Sequence, residues 1–160
     1  MAEELHIRPA IAGDLETIAR FQELMALETE DKALDPALVR RGVQAVFDRP
    51  TRGRYWIAER GGAAVGSLLL TFEWSDWRAA DFWWIQSVFV VREARGQSVF
   101  GALYRHVERA AREEPGVCGL RLYVERDNQH AQRVYEALGM EASHYRLYEV
   151  DFVLGGSTGK

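Results

Sequence analysis

A mixed α/β or α+β domain is the fold class this sequence predicts, and three observations predict it. Apolar residues recur at helical spacing in some stretches and in strand-like runs in others, so both element types are present. Gly61-Gly62 lies between two apolar runs and marks a tight β-hairpin. In the C-terminal half, strand and helix alternate, which favours parallel pairing, whereas three consecutive central strands favour antiparallel pairing. The expected order is β-α-α-β-β-β-α-β-α-β in one mixed sheet.

Each element has a local reason. Residues 6–8 read as a short strand that Pro9 closes, and Gly13-Asp14 form the turn after it. Leu15, Ile18, Ala19 and Met25 make the stripe of a first helix, and residues 28–31 read as a short acidic loop. Asp35 is placed to cap a second helix with Pro36 in its first position; Val39, Val43, Val46 and Phe47 recur along it, and Pro50 ends it. Residues 55–59 and 64–72 are the hairpin arms, followed by a polar, tryptophan-bearing connection over 73–81. Residues 82–91 form an uninterrupted apolar run, the pattern of a central strand buried on both faces. A helix over 98–112 carries Val99, Leu103, Val107 and Ala110 on one face, and Pro115-Gly116 stop it. A strand over 120–124 leads to a helix capped by Asp127-Asn128 and stopped by Gly139. A last strand is expected over 144–153, then a flexible tail over 155–160.

Composition narrows the function. The 160 residues, 48% hydrophobic and 28% charged, suit one globular domain, expected over residues 1–154. Twenty Lys and Arg stand against 24 Asp and Glu, a net charge of −4, which argues against a general nucleic-acid binder. No apolar run approaches membrane-spanning length and no signal peptide is visible, so no membrane partner and a cytoplasmic location are expected. Cys118 is the single cysteine: it cannot form an intrachain disulfide or a structural zinc site, and it reads as a buried filler. No metal is expected.

Two stretches could carry chemistry. The first runs from the strand residues Val88, Phe89 and Val90 through Arg92 and the loop Arg95-Gly96-Gln97-Ser98 to the helix start Val99-Phe100-Gly101. Free amides at a helix N-terminus, with arginines beside them, suit an anion, although an ordinary strand-to-helix turn has the same appearance. The second is Leu120-Arg121-Leu122-Tyr123-Val124, then Asn128, Ala131, Tyr135, Gly139 and Met140.

Taken together, the two stretches resemble the cofactor-binding motifs of the GNAT N-acetyltransferase superfamily. That family shows V-x-x-x-x-R/Q-G-x-G-x-G/A after its fourth strand, and later N-x-x-A-x-x-x-Y-x-x-x-G-F/M. Asn128, Ala131, Tyr135, Gly139 and Met140 match the second pattern at every spacing. The opening Ile7-Arg8-Pro9-Ala10 with Asp14, and Val65-Gly66 in the hairpin, are similar to family members too. Ser98 and Phe100 stand where the loop usually has small residues, and Gln86 stands where many relatives carry a glutamate base.

The resemblance implies a mostly antiparallel mixed sheet flanked by helices on both faces. It also implies acetyl-CoA as cosubstrate, and transfer of the acetyl group to a primary amine of a small molecule or peptide by direct attack in a ternary complex. Residues 88–90 and 95–101 would hold the cofactor. Asn128 would touch it while also capping its helix. Tyr135, on an apolar stripe, is either a core tyrosine or the acid that protonates the leaving thiolate. A CoA-binding module without catalysis is the alternative reading, and the protein would be a monomer or a homodimer.

The acceptor side rests on fewer features. Glu73, Trp74, Asp76 and Trp77 crowd one connection, which reads either as a surface loop or as an aromatic-walled pocket with carboxylates for a cationic amine. Glu73 is the candidate general base; Glu28, Trp74, Asp76 and Gln86 are candidate acceptor contacts. Trp83 and Trp84 fall on opposite strand faces, so at least one belongs to the core. His106 reads as a buried neutral histidine.

Overall fold

The computed structural model describes residues 3–154. Contacts divide the chain after Tyr123 into two compact units. The first holds a five-stranded sheet in the order β1-β2-β3-β4-β5, with β1 Leu5–Pro9, β2 Arg54–Arg60, β3 Ala63–Ser75, β4 Ala80–Val90 and β5 Val117–Arg121. Neighbours are antiparallel except β4 and β5, which are parallel. The predicted mixed sheet, mostly antiparallel, is present.

Helices α1 (Leu15–Glu30), α2 (Pro36–Asp48) and α3 (Val99–Glu113) cover the sheet. Successive strand residues point to opposite faces, so adjacent side chains of β2 serve two layers. Tyr55 and Ile57 join Leu15, Ile18, Ala19 and Val43 in the core under α1 and α2. Trp56, between them, meets His106 of α3 with ring centroids 4.7 Å apart. There His106 is half-buried, not buried as the sequence suggested; partial desolvation beside Arg109 and His6 lowers its pKa and favours the neutral ring.

Local chemistry sets the helix starts. Asp35 Oδ1 accepts from the Ala37 amide at 3.0 Å, and Pro36 occupies the first turn of α2. Arg8 ties β1 to the start of α1 by donating to both Asp14 oxygens (2.8 and 2.9 Å) and to Glu59 (2.9 Å). Asp14 also accepts from the Ile11 amide, and the Arg8 guanidinium holds its carboxyl below the usual carboxylate range. This network closes the first connection over the sheet.

Four boundaries differ from the sequence reading. Glu28, Thr29 and Glu30 are the last turn of α1, not a loop; Thr29 Oγ1 donates to the Met25 carbonyl at 2.8 Å, and Asp31 ends the helix in a left-handed conformation (φ 51°). Glu73, Trp74 and Ser75 are not part of a connection but continue β3, opposite Phe82, Asp81 and Ala80, so only residues 76–79 turn. The strand expected at 120–124 is β5 and begins three residues earlier, at Val117. The last expected strand, residues 144–153, forms none. Its alternating pattern is strand-like, but a strand exists only when another backbone pairs with it, and a local pattern specifies no partner.

The second unit holds α4 (Gln129–Ala137) and the residues that follow it, which form neither helix nor strand over 140–154. Asn128 Oδ1 accepts from the Ala131 amide at 3.1 Å, the capping bond expected of it. The expected tail at 155–160 lies outside the described residues.

Candidate active site

The site in the first unit begins with an interruption in the sheet. Strands β4 and β5 pair from Asp81↔Val117 to Trp84↔Arg121 and then part. Residues 85–90 of β4 keep β3 on one side and, among the described residues of that unit, have no strand on the other. The backbone groups on that edge therefore lack a strand partner within the unit.

A bulge then re-aims β4. The register passes from Leu69↔Gln86 to Ser67↔Phe89, so Leu68 alone faces Ser87 and Val88, and Ser87 takes a positive φ of 51°. Gln86 and Phe89 consequently fall on one face although three residues apart. Phe89 packs against Phe21 of α1, with centroids 4.9 Å apart.

The segment after β4 is the loop singled out by its sequence. Residues 92–94 make one tight turn, Gly96 has φ 75° and Ser98 has φ 59°, and α3 starts at Val99. The first-turn amides of α3 have no intrahelical carbonyls, which makes this end attractive to an anion. Gly66 brings the helix close: a Cβ there would lie 3.0 Å from the Phe89 carbonyl oxygen and 3.1 Å from Val99 Cγ1. Gln97 braces the loop, donating to the Glu93 carbonyl at 2.9 Å and accepting from Arg60. Phe100 turns toward Tyr104 one helical turn on, with centroids 6.2 Å apart.

Arginine and acid meet beside this loop. Arg95 donates through Nε to the Val90 carbonyl (3.0 Å) and through Nη2 to Glu28 (2.5 Å), with Phe89 under its guanidinium at 5.7 Å. Arg92 lies 3.7 Å from the same carboxylate. Glu28 is thus the counter-ion of the two arginines. These cations also offset the acids gathered at the C-terminal end of α1, where the helix dipole disfavours negative charge.

A left-handed serine is costly, because its Cβ crowds the backbone in that conformation. Ser98→Gly should relieve this strain and raise stability by about 1 kcal/mol, after the extra chain entropy of glycine is counted. Urea denaturation of the two proteins measures it; an unchanged or lowered midpoint would show that the loop carries no such strain.

The same sheet face continues from Gln86 as a polar and aromatic floor. Gln86 donates to Thr71, which identifies the partner of the amide that stands where a carboxylate base is common. Glu73 sits opposite Phe82 and is held by Arg121, whose guanidinium lies 3.6 Å from the Phe82 centroid. Trp84 and Tyr123 border the floor with centroids 6.1 Å apart. Trp83, on the other face, is 2% exposed and belongs to the core.

The structure therefore brings Glu73 and Gln86 onto one face and separates other candidates from them. Trp74, next in the strand, points to the opposite face and is 63% exposed. Asp76 lies in the turn, and Glu28 is with the arginines. Sequence reasoning missed Thr71 and Arg121 as members of the floor. Their signal was parity, since residues paired across strands share a face, but parity is usable only once the register is known.

In the second unit, burial raises the Tyr135 pKa above that of a free phenol, so the hydroxyl keeps its proton through neutral pH. Among the described residues no group of three His, Cys, Asp or Glu side chains could hold a metal ion, and no helix is long and apolar enough to cross a membrane.

A family model and a solved structure carry the family assignment. The model of the acetyltransferase (GNAT) family matches residues 18–140. A possible acetyltransferase from Clostridium difficile 630 is 37% identical over 94% of this chain and 99% of its own, with a TM-score of 0.87. An integron cassette protein from the mobile metagenome of Cole Harbour Salt Marsh is 25% identical over 91% of this chain and 90% of its own, with a TM-score of 0.80. An aminoglycoside N-acetyltransferase solved with CoA shares the fold, with a TM-score of 0.77 and 15% identity over 95% of this chain and 97% of its own. The search of curated proteins found no match.

Proposed function

The chain belongs to the acetyltransferase (GNAT) family, and from that premise we propose that it moves the acetyl group of acetyl-CoA to a primary amine. The acceptor is a small molecule or a peptide, and attack is direct, in a ternary complex. The observation that carries this reading is the parting of β4 and β5 after Trp84↔Arg121, beside the turn that opens α3. A free strand edge followed by a helix N-terminus suits a ligand with an amide-bearing arm and a phosphate group.

The residues fit acetyl-CoA. Residues 88–90 offer backbone groups to the pantetheine arm, and residues 95–101 offer amides and the Arg95 charge to the pyrophosphate. The family pattern gives Asn128 a role toward the same cofactor, besides its capping bond. When bound, acetyl-CoA supplies the acetyl group as an activated thioester. Backbone amides of β4 would serve to polarise its carbonyl, where charge develops on attack. Tyr135 holds the proton that the departing sulfur needs.

An amine must lose its proton before it attacks. For a lysine-like amine of pKa ~10.4 the neutral fraction at pH 7 is about one in 2,500. Gln86 cannot take that proton. Glu73 is the carboxylate on the floor that could, directly or through water, but only by sharing itself with Arg121. Glu73 therefore acts better as an orienting anion that passes a proton to water than as an isolated strong base.

The reading is tested by binding. Acetyl-CoA at ~100 times its dissociation constant should add ~2.7 kcal/mol of stability and raise the melting temperature accordingly. Arg95→Glu should weaken binding at least about tenfold, because it puts an anion where a cation met the phosphates and beside Glu28. If millimolar acetyl-CoA moves neither the melting point nor the calorimetric signal, the reading fails. If it binds and no amine in a panel is acetylated, the protein is a CoA-binding module without catalysis.

A further inference from the structure

We propose that the acetyl acceptor carries a carboxylate of its own, displaced along its chain from the reacting amine as in a short peptide, and that Arg121 and Arg78 receive it. This inference rests on the acetyl-transfer reading and names its acceptor class.

The floor within the first unit is not the cationic-amine pocket that the sequence suggested. Trp74 faces away, Asp76 lies in the turn, and the carboxylate that does reach the floor, Glu73, is held by Arg121. Asp81, next to Phe82 in β4, falls on the opposite face. Arg78 brings a second guanidinium, 4.9 Å from the Phe82 centroid, and its Nη1 donates to the neutral Ser75 hydroxyl at 3.2 Å. Two cations and one anion thus meet around the Phe82 ring, so the excess charge there is positive.

The position of Arg121 is built into the sheet. Gly119 and Phe82 are register partners across β5 and β4, and a Cβ on Gly119 would lie 2.8 Å from Phe82 Cε1. The missing side chain leaves room for the ring, and the Arg121 guanidinium covers it 3.6 Å from the centroid. Stacking and the Glu73 ion pair hold a long side chain in one place, so less freedom is lost when a ligand arrives. The bond to Glu73 uses Nη1, and a guanidinium has further donors at Nη2 and Nε for a second oxyanion.

Spacing sets the length of the acceptor. Phe82 precedes Gln86 by four residues of β4, or ~13 Å of strand. Gln86 stands where many relatives carry the base that takes the amine's proton. A single amino acid, whose amine and carboxylate share one carbon, does not reach both places. An extended tripeptide of ~10 Å, met by side chains at both ends, does. Trp84 lies between the two positions on the same face and offers its ring to the middle residue.

The test compares Ala-Phe-Ala with its C-terminal amide, whose α-amines share a pKa of ~7.8 and are equally available. With acetyl-CoA saturating, kcat/KM for the acid should exceed that for the amide at least about tenfold. Arg121→Gln should erase the preference, through a rise in KM for the acid of at least about tenfold. Arg121→Lys should restore part of it. Free alanine, whose carboxylate does not reach Arg121, should show no dependence on that residue. Arg78→Gln, in the exposed turn, should raise KM for Ala-Phe-Ala several-fold, and it carries the test if the Arg121 variants do not fold. Acetylation of the amide or of spermidine at an equal or higher kcat/KM, or a preference left intact by Arg121→Gln, would overturn the assignment and leave acetyl transfer standing. Acetylation of no amine in the panel would overturn acetyl transfer itself, and this assignment with it.

Discussion

Tyr135→Phe should lower turnover by ~10²-fold or more at saturating acetyl-CoA, while the affinity for acetyl-CoA changes little. The substitution keeps the ring and removes only the hydroxyl. Burial raises the phenol's pKa above its ordinary value, so the proton stays in place well past neutrality and the acid form dominates through the neutral range. The sign matters for the pH profile. A raised phenol pKa cannot produce a limb in the neutral range, so a limb seen there belongs to the amine or its base. The same residue contributes stability that is fully present below about pH 10 and is lost as pH rises through its folded-state value. Proton transfer from a phenol near 10 to a thiolate whose acid is near 8.5 is uphill by ~2 kcal/mol, and burial adds to that. The cost is small beside the barrier of an uncatalysed acyl transfer. Initial rates and a binding titration on both proteins decide the matter: equal turnover would return Tyr135 to a structural role.

The largest expected effect on stability belongs to Trp83. It is 2% exposed in β4, with the Phe72 ring 6.3 Å away and the Arg54 guanidinium 5.5 Å above it. Trp83→Ala deletes the indole where close-packed strands and helices cannot collapse fully, and should cost about 3–5 kcal/mol. That is a large part of the ~5–15 kcal/mol that holds a domain together. Because the same strand carries Gln86 and residues 88–90, acetyl-CoA binding should weaken with it, and Trp83→Phe should recover much of both. Urea denaturation gives the number; a loss under ~1 kcal/mol would mean that Trp83 packs loosely.

Other features explain why some of the site was legible early and some was not. Asp35-Pro36 announced α2, Gly61-Gly62 the hairpin, and Asn128 its cap, because each acts on backbone within a few residues. The loop at 95–101 was legible for the same reason: a strand, a glycine and a helix start are contiguous. Gln86 could be seen to be no base, yet its bond to Thr71 could not, since the two are 15 residues apart and meet only across the β3–β4 pairing.

By itself, then, the sequence determined most of the element types and their order, the family and the contiguous loop at 95–101. Local sterics, capping and hydrophobic period are properties of neighbouring residues, and they act wherever those residues stand. The tertiary structure alone decided that Glu28 neutralises Arg92 and Arg95, that Arg121 holds Glu73, and that Trp74 turns away from Gln86. It also decided where β4 leaves β5, and that residues 144–153 pair with no strand among the described residues. Each of these depends on which backbone lies beside which, and in what register. A single strand's pattern carries its period but neither its partner nor its parity, and a shift of one residue exchanges its two faces.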